Sequence, residues 1–286
     1  MAKKNNSKIV LVIGIFLGLG IILYPLFSQL YYDVTSEAAN LEFREAVSEV
    51  YTPAEKLENI RLAEAYNEAL EPNLRWMDPY SSEERQEGVV EYAHMLEVQE
   101  KIGIISIPTI DVEIPVYAGT NDSVLHKGAG HLEKTSLPVG GPNTHSVITA
   151  HRGLADKRLF RDLDKMEVGD IFYIESMAGT LYYQVDQIII VEPTDTDTVM
   201  IEPGEDYLTL LTCDPYMINS HRLLVRGVRI EAPTEDQVVQ GGLQVQKDLA
   251  YYLTSYWQYL VLILLALAIV IVIIFWERIR GKNRKK

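Results

Sequence analysis

The chain of 286 residues has a length, composition and charge that exclude several classes of protein. Charged residues make up 23% and hydrophobic residues 48%, which fits neither a disordered polyelectrolyte nor a protein made only of membrane helices. The net charge of −14 argues against a nucleic-acid-binding protein, because such proteins carry a basic surface. A single cysteine, Cys213, excludes an intramolecular disulfide framework and a zinc site built from several cysteines.

Both ends of the chain are basic, and each is followed or preceded by an apolar span. Residues 9–27 and 257–276 carry no charge and are each about 20 residues long, the length that a helix needs to cross a bilayer. The sequence therefore predicts two transmembrane helices. Because basic residues stay on the cytoplasmic side, both termini are expected in the cytoplasm and the region between the helices outside the cell. A cleaved signal peptide is the alternative for the first span, but no good cleavage site follows it. We therefore expect an uncleaved signal anchor and a multi-pass protein of the cell membrane.

Between the two apolar spans, the hydrophobic pattern changes from helical to strand-like. Residues 36–70 have apolar residues at spacings of three and four, and Pro53 divides them into two helices, with Thr52 as the N-cap of the second. From Ile102 onward, at least seven short runs rich in Val, Ile and Tyr are separated by turn residues. Such a series predicts a mainly β fold, either closed or sandwich-like, that follows an N-terminal helical arm.

The lone cysteine ends one of these predicted strands. Cys213 follows the apolar run YLTLLT and precedes Asp214-Pro215, a turn sequence, so it lies where a strand meets a loop. In an arbitrary protein such a cysteine is a small core residue. In the extracellular compartment expected here, an unpaired structural thiol would be a liability, which favours a chemical role for Cys213.

A nucleophilic thiol needs a proton donor for the leaving group and positive charge for the developing oxyanion. Of six histidines, only His151 resembles Cys213 in position, at the exit from an apolar strand. The other five are expected at surface or structural positions: His94, His126, His131, His145 (solvated beside a turn) and His221. Arg222 and Arg226 share one face of the last predicted strand, and strand alternation alone does not choose between them as the cation.

Taken together, these residues resemble the sortase family, the membrane-anchored cysteine transpeptidases of Gram-positive surfaces. TLLTC at 209–213 is similar to the TLxTC signature of that family. The histidine of TAHRG (149–153) lies upstream and the arginine of HRLLVRG (221–227) downstream, in the order of the family. The helical arm and the second apolar span resemble the class C, or pilin-polymerising, branch. The resemblance implies a closed sortase-like β-barrel over residues 100–232.

The resemblance also implies a role for each matched residue. Cys213 would attack the Thr–Gly bond of an LPxTG-like sorting signal and form a thioacyl enzyme. His151 would protonate the leaving amine and deprotonate the incoming one, and Arg222 would stabilise the oxyanion. The acceptor would be a lysine amine of a pilin, so that pilin subunits are the expected partners and no cofactor or metal is needed. Leu211 and Thr212 are expected to contact the substrate.

Residues 76–82 resemble the lid of class C sortases. Asp78, Pro79 and Tyr80 match the Asp-Pro-aromatic motif of that lid. The carboxylate of Asp78 is expected to pair with Arg222, and the ring of Tyr80 is expected to cover the thiol, so that the lid would be autoinhibitory. An ordinary Asp-Pro turn on the surface is the alternative.

Three other functions stay open alongside a pilin-polymerising sortase. They are a housekeeping sortase that anchors proteins to the cell-wall precursor, a membrane-tethered cysteine protease, and a non-catalytic surface scaffold or adhesin. The sequence does not predict an oligomeric state. The predicted parts of the chain are a basic cytoplasmic tail (1–8), a transmembrane signal anchor (9–27), a helical arm (33–75), the lid (76–82), the catalytic barrel (100–232), a transmembrane helix (257–276) and a basic cytoplasmic tail (277–286).

Overall fold

A computed structural model of the chain describes most of it up to residue 233. The described residues are 3–70, 78–80, 90–98, 100–154, 156–195 and 197–233, together with positions 257, 261, 264, 265 and 268. The chain divides into two compact units, one made of residues 1–28 and 245–286 and the other of residues 29–244.

The first unit corrects the expectation of membrane-spanning helices. Residues 9–27 belong to helix α1 (Lys3–Glu49), one helix of 47 residues that continues from the apolar run into a charged segment. The span 257–276 lies outside the described residues except for five positions. Over the described ranges, no helix combines the length and the apolar character that crossing a bilayer requires. The predicted flanking transmembrane helices and the multi-pass membrane location are therefore wrong.

The second unit contains a closed barrel of eight strands, which confirms the mainly β, closed part of the predicted fold. The strands are β1 (Lys101–Ile107), β2 (Val112–Ala118), β3 (Ala129–His131), β4 (Thr144–Thr149), β5 (Ile171–Ser176), β6 (Gly179–Val191), β7 (Asp206–Asp214) and β8 (His221–Ile230). Their order around the barrel is β1-β2-β3-β4-β7-β8-β6-β5. Two neighbouring pairs, β2 with β3 and β4 with β7, are parallel. A short helix, α3 (Asp122–Lys127), leads into β3.

Two helices pack on the barrel from the N-terminal side of the chain. After α1 ends, helix α2 (Pro53–Ala69) begins with a capping box: the Glu55 N–H donates to the Thr52 hydroxyl at 3.3 Å, and the Thr52 N–H donates to the Glu55 carboxylate at 2.8 Å. This confirms the predicted break at Pro53. Phe43 of α1 and Ala63 of α2 are buried in one hydrophobic core with the barrel strands. Strand β1 is buried along its whole length as a result.

The strand order brings three separate segments to one end of the barrel. Thr149 at the end of β4 pairs with Leu211 of β7 in parallel register, so the two strands end side by side. On the other edge of β7, Cys213 pairs with Arg222 at the beginning of β8. The residues that follow β4, the last residues of β7 and the first residues of β8 therefore share one edge, and His151 follows β4 by two residues.

Candidate active site

The lone thiol is buried at the end of β7. Cys213 is 5% exposed, and its partner in register, Arg222, is 4% exposed. Burial raises the pKa of the Cys213 thiol to about 11; the positive charge of Arg222 opposes this rise and the negative charge of Asp78 adds to it. The thiol in this structure is consequently protonated at neutral pH and is a poor nucleophile.

Arg222 is engaged on all three of its nitrogen atoms. Its Nε donates to Oδ1 of Asp78 at 2.7 Å, and its Nη2 donates to Oδ2 of the same carboxylate at 2.5 Å. Its Nη1 donates to the carbonyl oxygens of Asn219 at 3.0 Å and His221 at 2.8 Å. The backbone contacts orient the guanidinium, while the paired fork of Arg222 and Asp78 occupies the donors that face the lid.

Tyr80 of the lid contacts the end of β4 and two of the predicted catalytic residues. Its hydroxyl donates to the carbonyl oxygen of Ala150 at 2.6 Å and lies 2.8 Å from the hydroxyl of Thr149. Its ring centroid lies 5.6 Å from that of His151 and 5.1 Å from the guanidinium carbon of Arg222. Burial raises the pKa of the Tyr80 hydroxyl well above its usual range, so the side chain stays neutral. Tyr80 thus contacts both the imidazole of His151 and the guanidinium of Arg222.

His151 is held at the strand exit by main-chain hydrogen bonds on both sides. The N–H of Ala150 donates to the Leu211 carbonyl oxygen at 3.3 Å, and the His151 carbonyl oxygen accepts from the N–H of Phe160 at 3.1 Å. Besides Tyr80, the imidazole contacts the ring of His126 in α3, with centroids 5.5 Å apart and planes 77° apart. The structure therefore brings the predicted residues 151, 213 and 222 to one end of the barrel.

Comparisons with known proteins identify the family. The Sortase domain family matches residues 105–230. A crystal structure of Sortase C from Streptococcus pneumoniae is 56% identical, covers 69% of this chain and 100% of its own, and has a TM-score of 0.63. This chain belongs to the sortase family. Sortase C2 of Group B Streptococcus pilus island 1 is 55% identical, over 63% of this chain and 100% of that one, with a TM-score of 0.60. Both similar structures are of class C sortases, which confirms the prediction of this class.

Two curated relatives are more distant. Sortase D of Bacillus subtilis is 28% identical over 137 residues, which are 47% of this chain and 66% of that protein. Sortase A of Streptococcus agalactiae is 30% identical over 118 residues, 40% of this chain and 47% of that protein. The matched region thus spans about two thirds or less of the length of these curated relatives.

Arg152 of this sortase is a candidate site residue that the sequence analysis did not identify. The side chain is buried, its Nη2 lies 2.9 Å from the Asp164 carboxylate, and its Nη1 pairs with the Asp214 carboxylate. The same Nη1 donates to the carbonyl oxygen of Cys213 at 3.4 Å. Arg152, the residue after His151, therefore contacts both Cys213 and Asp214, the last two residues of β7. The signal in the sequence was that an arginine, Arg152, directly follows His151 and an aspartate, Asp214, directly follows Cys213.

Two residues predicted to contact substrate in this sortase lie beneath the surface instead of on it. Thr212 is fully buried and its hydroxyl donates to the carbonyl oxygen of Ala150 at 2.8 Å. Leu211 is fully buried in a small hydrophobic cluster against which Tyr80 packs. Both support the strand ends and the lid in this closed arrangement, and their contact with substrate stays a prediction.

The strand register shows which of Arg222 and Arg226 lies beside Cys213, a question that strand alternation left open. Arg226 pairs with Thr209 of β7, four residues before Cys213. Its guanidinium binds the carboxylates of Asp186 at 2.7 Å and Glu202 at 3.1 Å. Arg226 is thus a strand arginine with its own partners, and Arg222 is the one beside the thiol.

The expectation of a solvated His145 is wrong. The side chain is 1% exposed, with Nδ1 2.8 Å from the Met200 carbonyl oxygen and Nε2 2.7 Å from the Thr209 hydroxyl. Strand β4 lies between β3 and β7 and is buried at every position, so a histidine near its start faces protein although a turn precedes it. Burial lowers the pKa of His145 to about 4, and likewise that of the fully buried His131 to about 4.

Proposed function

We propose that this sortase is a cysteine transpeptidase that cleaves an LPxTG-like sorting signal between Thr and Gly and joins the Thr to a pilin lysine. The proposal rests on the register that sets Cys213 opposite Arg222 in neighbouring strands, with His151 following the adjacent parallel strand. The similar Sortase C of Streptococcus pneumoniae has a structure described in terms of pilin substrate specificity, which supports pilins as the substrate class.

In the first half-reaction the Cys213 thiolate attacks the carbonyl carbon of the Thr. A C–S bond forms and the carbonyl oxygen becomes an oxyanion, which the Arg222 guanidinium stabilises as a fixed cation with several donors. The oxyanion collapses, the C–N bond to Gly breaks, and the protonated imidazole of His151 gives its proton to the departing amine. The products are a thioester on Cys213 and a free peptide that begins with Gly.

In the second half-reaction a lysine amine of another pilin attacks the thioester. The neutral imidazole of His151 takes one proton from the attacking nitrogen, and the oxyanion forms again beside Arg222. Collapse breaks the C–S bond and returns the thiolate of Cys213, while His151 regains the proton that it gave away. The new bond is an isopeptide between the Thr carboxyl carbon and the lysine side chain.

The lid residues Asp78–Tyr80 hold each of the three groups in an inactive form. Asp78 takes the Arg222 donors that the oxyanion needs, and Tyr80 lies against the imidazole of His151. The burial that accompanies the closed lid, together with the Asp78 carboxylate, keeps the thiol of Cys213 protonated. We therefore propose that the lid is autoinhibitory and that the sorting signal gains access when it moves away.

The test is to incubate the full chain with a pilin that carries an LPxTG signal and an acceptor lysine, and to resolve the products by denaturing electrophoresis. Wild type should give a ladder of covalent multimers, the double variant Asp78→Ala/Tyr80→Ala should give it faster, and Cys213→Ala should give none. A pilin with its acceptor lysine replaced by arginine is the matched substrate control and should not polymerise. A ladder made equally well by Cys213→Ala would refute the thiol as nucleophile, and transfer only to a cell-wall precursor amine would indicate a housekeeping sortase.

A further inference from the structure

We propose that Asp122, His126 and His151 form a binding site for a transition-metal ion, with Zn²⁺ as the preferred ion, that inhibits the enzyme by taking the imidazole of His151 as a ligand. The ligand atoms of these three side chains all lie within 4.8 Å of one another. The metal site stands on this geometry alone, and only its inhibitory effect rests on the proposed function.

The backbone presents two of the three ligands on one face of a helix. Asp122 and His126 are four residues apart in α3, so their side chains lie one turn apart on the same face. The start of α3 is fixed by Asn121, whose side-chain oxygen accepts from the N–H of Val124 at 3.0 Å. The ring of His126 then meets the ring of His151 nearly edge-on, at a centroid distance of 5.5 Å. The side chains of α3 and that of His151, which follows β4, thus lie next to each other.

A hydrogen bond within α3 leaves the ring of His126 ready to bind a metal. Its Nδ1 lies 2.7 Å from the carbonyl oxygen of Asp122. A carbonyl oxygen only accepts, so Nδ1 carries the proton and the neutral ring has its lone pair on Nε2. A metal-binding histidine commonly donates its other ring N–H to a carbonyl or carboxylate in this way, which fixes both the tautomer and the ring orientation.

The donor set selects the class of metal. Two imidazoles and one carboxylate suit Zn²⁺, Cu²⁺ or Ni²⁺, whereas Ca²⁺ and Mg²⁺ prefer oxygen donors alone. Zinc bonds of about 2.0–2.1 Å place tetrahedral ligand atoms about 3.3–3.4 Å apart, so the three groups must close by roughly 1.5 Å or less. Asp122 and His126 are exposed, so their side chains have room to move toward the ion while His126 keeps its Nδ1 hydrogen bond. Three protein ligands leave a fourth position for water, as at accessible zinc sites.

An ion at this site would stop proton transfer without touching the thiol. A metal-bound imidazole has one nitrogen on the ion and its proton on the other, so it has no free lone pair to accept a proton in the second half-reaction and cannot become the imidazolium that donates one in the first. Inhibition would therefore be reversible, and removal of the ion by a chelator would restore the imidazole.

The binding arm of the test is isothermal titration of ZnCl₂ into the metal-free full chain, without substrate. Wild type should bind one Zn²⁺ per chain, and His126→Gln and Asp122→Asn should each weaken binding by about tenfold or more. His94→Gln is the matched control, because His94 is also exposed and lies 3.0 Å from a carboxylate, that of Glu97, outside the cluster. Cys213→Ala should bind like wild type. Unchanged binding by His126→Gln, or loss of binding in Cys213→Ala, would overturn the proposal.

The activity arm uses the same variants in the pilin assay. Zn²⁺ should suppress the ladder of the wild type, EDTA should restore it, and His126→Gln should form the ladder in both conditions. Equal suppression of His126→Gln and wild type would place the inhibitory ion elsewhere and overturn the proposal. A wild type that forms no ladder in EDTA would instead contradict the proposed function, while the titration still decides whether the metal site exists.

Discussion

Asp78 and Arg222 are 144 residues apart in the sequence and form a bidentate ion pair in which both side chains are almost inaccessible to solvent. A buried ion pair adds little net stability, because the cost of removing two charges from water offsets their attraction. Its position beside Cys213 is better explained by regulation. In the proposed mechanism, a substrate carbonyl that becomes an oxyanion offers Arg222 the same kind of acceptor, so the carboxylate of Asp78 and the transition state would compete for one guanidinium.

Asp78→Asn should make the thiol more reactive. The negative charge of Asp78 raises the pKa of Cys213, so its removal should lower that pKa from about 11, and burial, the main cause of the rise, should lessen as the lid loosens. Each unit by which the pKa falls gives about a tenfold larger thiolate fraction at pH 8. The rate of alkylation by iodoacetamide between pH 6 and pH 11, followed by mass spectrometry, reports on Cys213 alone because it is the single cysteine.

The matched control for this experiment is the carboxylate that pairs with Arg226, the other arginine of β8. Asp186 binds Arg226 through a similar carboxylate–guanidinium pair at 2.7 Å, away from the thiol. Asp186→Asn should leave the pH profile of alkylation unchanged. If Asp78→Asn and Asp186→Asn both follow the wild-type profile, the lid carboxylate does not control the thiol.

Arg222→Lys should lower the turnover number although it keeps the positive charge. A lysine ammonium lacks the planar fork that contacts an acceptor through two nitrogens, and loss of such a donor typically costs about 100-fold to 1,000-fold in kcat. The measurement is cleavage of a fluorescent LPxTG peptide in the Asp78→Ala background, so that lid opening does not limit the rate. Arg226→Lys in the same background is the control and should retain its activity. Equal rates for the two lysine variants would remove Arg222 from the proposed mechanism.

The difference between Arg222 and Arg226 shows what a single strand pattern cannot predict. Both alternate onto one face of β8, and only the pairing with β7 reveals which of them lies beside Cys213. The sequence does predict the strand end at Cys213, because an apolar run stops there at a turn. The sequence analysis chose Arg222 through the family resemblance, but it did not identify Arg152, because the partners of Arg152, Asp164 and Asp214, come from other segments.

Two other predictions made from local sequence patterns were wrong: the solvent exposure of His145 and the membrane span at residues 9–27. His145 follows turn residues, which suggested a solvated position, but β4 has a neighbouring strand on each side and is buried throughout. The uncharged run 9–27 suggested a membrane span from its length and lack of charge, but among the described residues no helix is long and apolar enough to cross a bilayer. The burial of His145 depends on its neighbouring strands, which its own segment does not specify.

Two buried histidines should make the fold sensitive to mild acid. The folded state keeps His131 and His145 neutral down to about pH 4, whereas the unfolded chain protonates its histidines below about pH 6.5. Between these values the unfolded state binds more protons, so the free energy of unfolding should fall by about 1.4 kcal/mol per pH unit for each histidine as pH decreases. Urea unfolding at pH 7, 6 and 5 measures this slope.

For a histidine variant, the informative quantity is the change of the free energy of unfolding with pH, and not its value at one pH. His145→Gln removes one titrating group and should reduce the slope by about half between pH 6 and pH 5, whatever its effect at pH 7. A slope that does not change in His145→Gln would mean that this side chain is already protonated in the folded state.

Arg152→Gln should destabilise the barrel and also make the thiol less acidic. The variant leaves the largely buried carboxylate of Asp214 without its cation, and removal of one partner from a buried ion pair costs about 3–5 kcal/mol. The lost pair with Asp164 adds little, because that carboxylate is half exposed. The positive charge of Arg152 lowers the pKa of Cys213, so its loss should raise that pKa and slow alkylation at a given pH. Urea unfolding and the alkylation profile measure the two effects separately.

A positioning role for Arg152 predicts different rescue of the two effects. Arg152→Lys keeps the charge, so the pH profile of alkylation should return toward that of wild type, while the lost guanidinium contacts to the Cys213 carbonyl oxygen and Asp164 should keep stability low. Arg158→Gln is the control, since Arg158 forms a more exposed pair with Asp162 at 2.7 Å that should contribute about 1 kcal/mol or less. If Arg152→Gln shifts neither measurement more than Arg158→Gln does, the cation between the two strand ends is dispensable, and the alignment of His151 with Cys213 depends on the strand pairing alone.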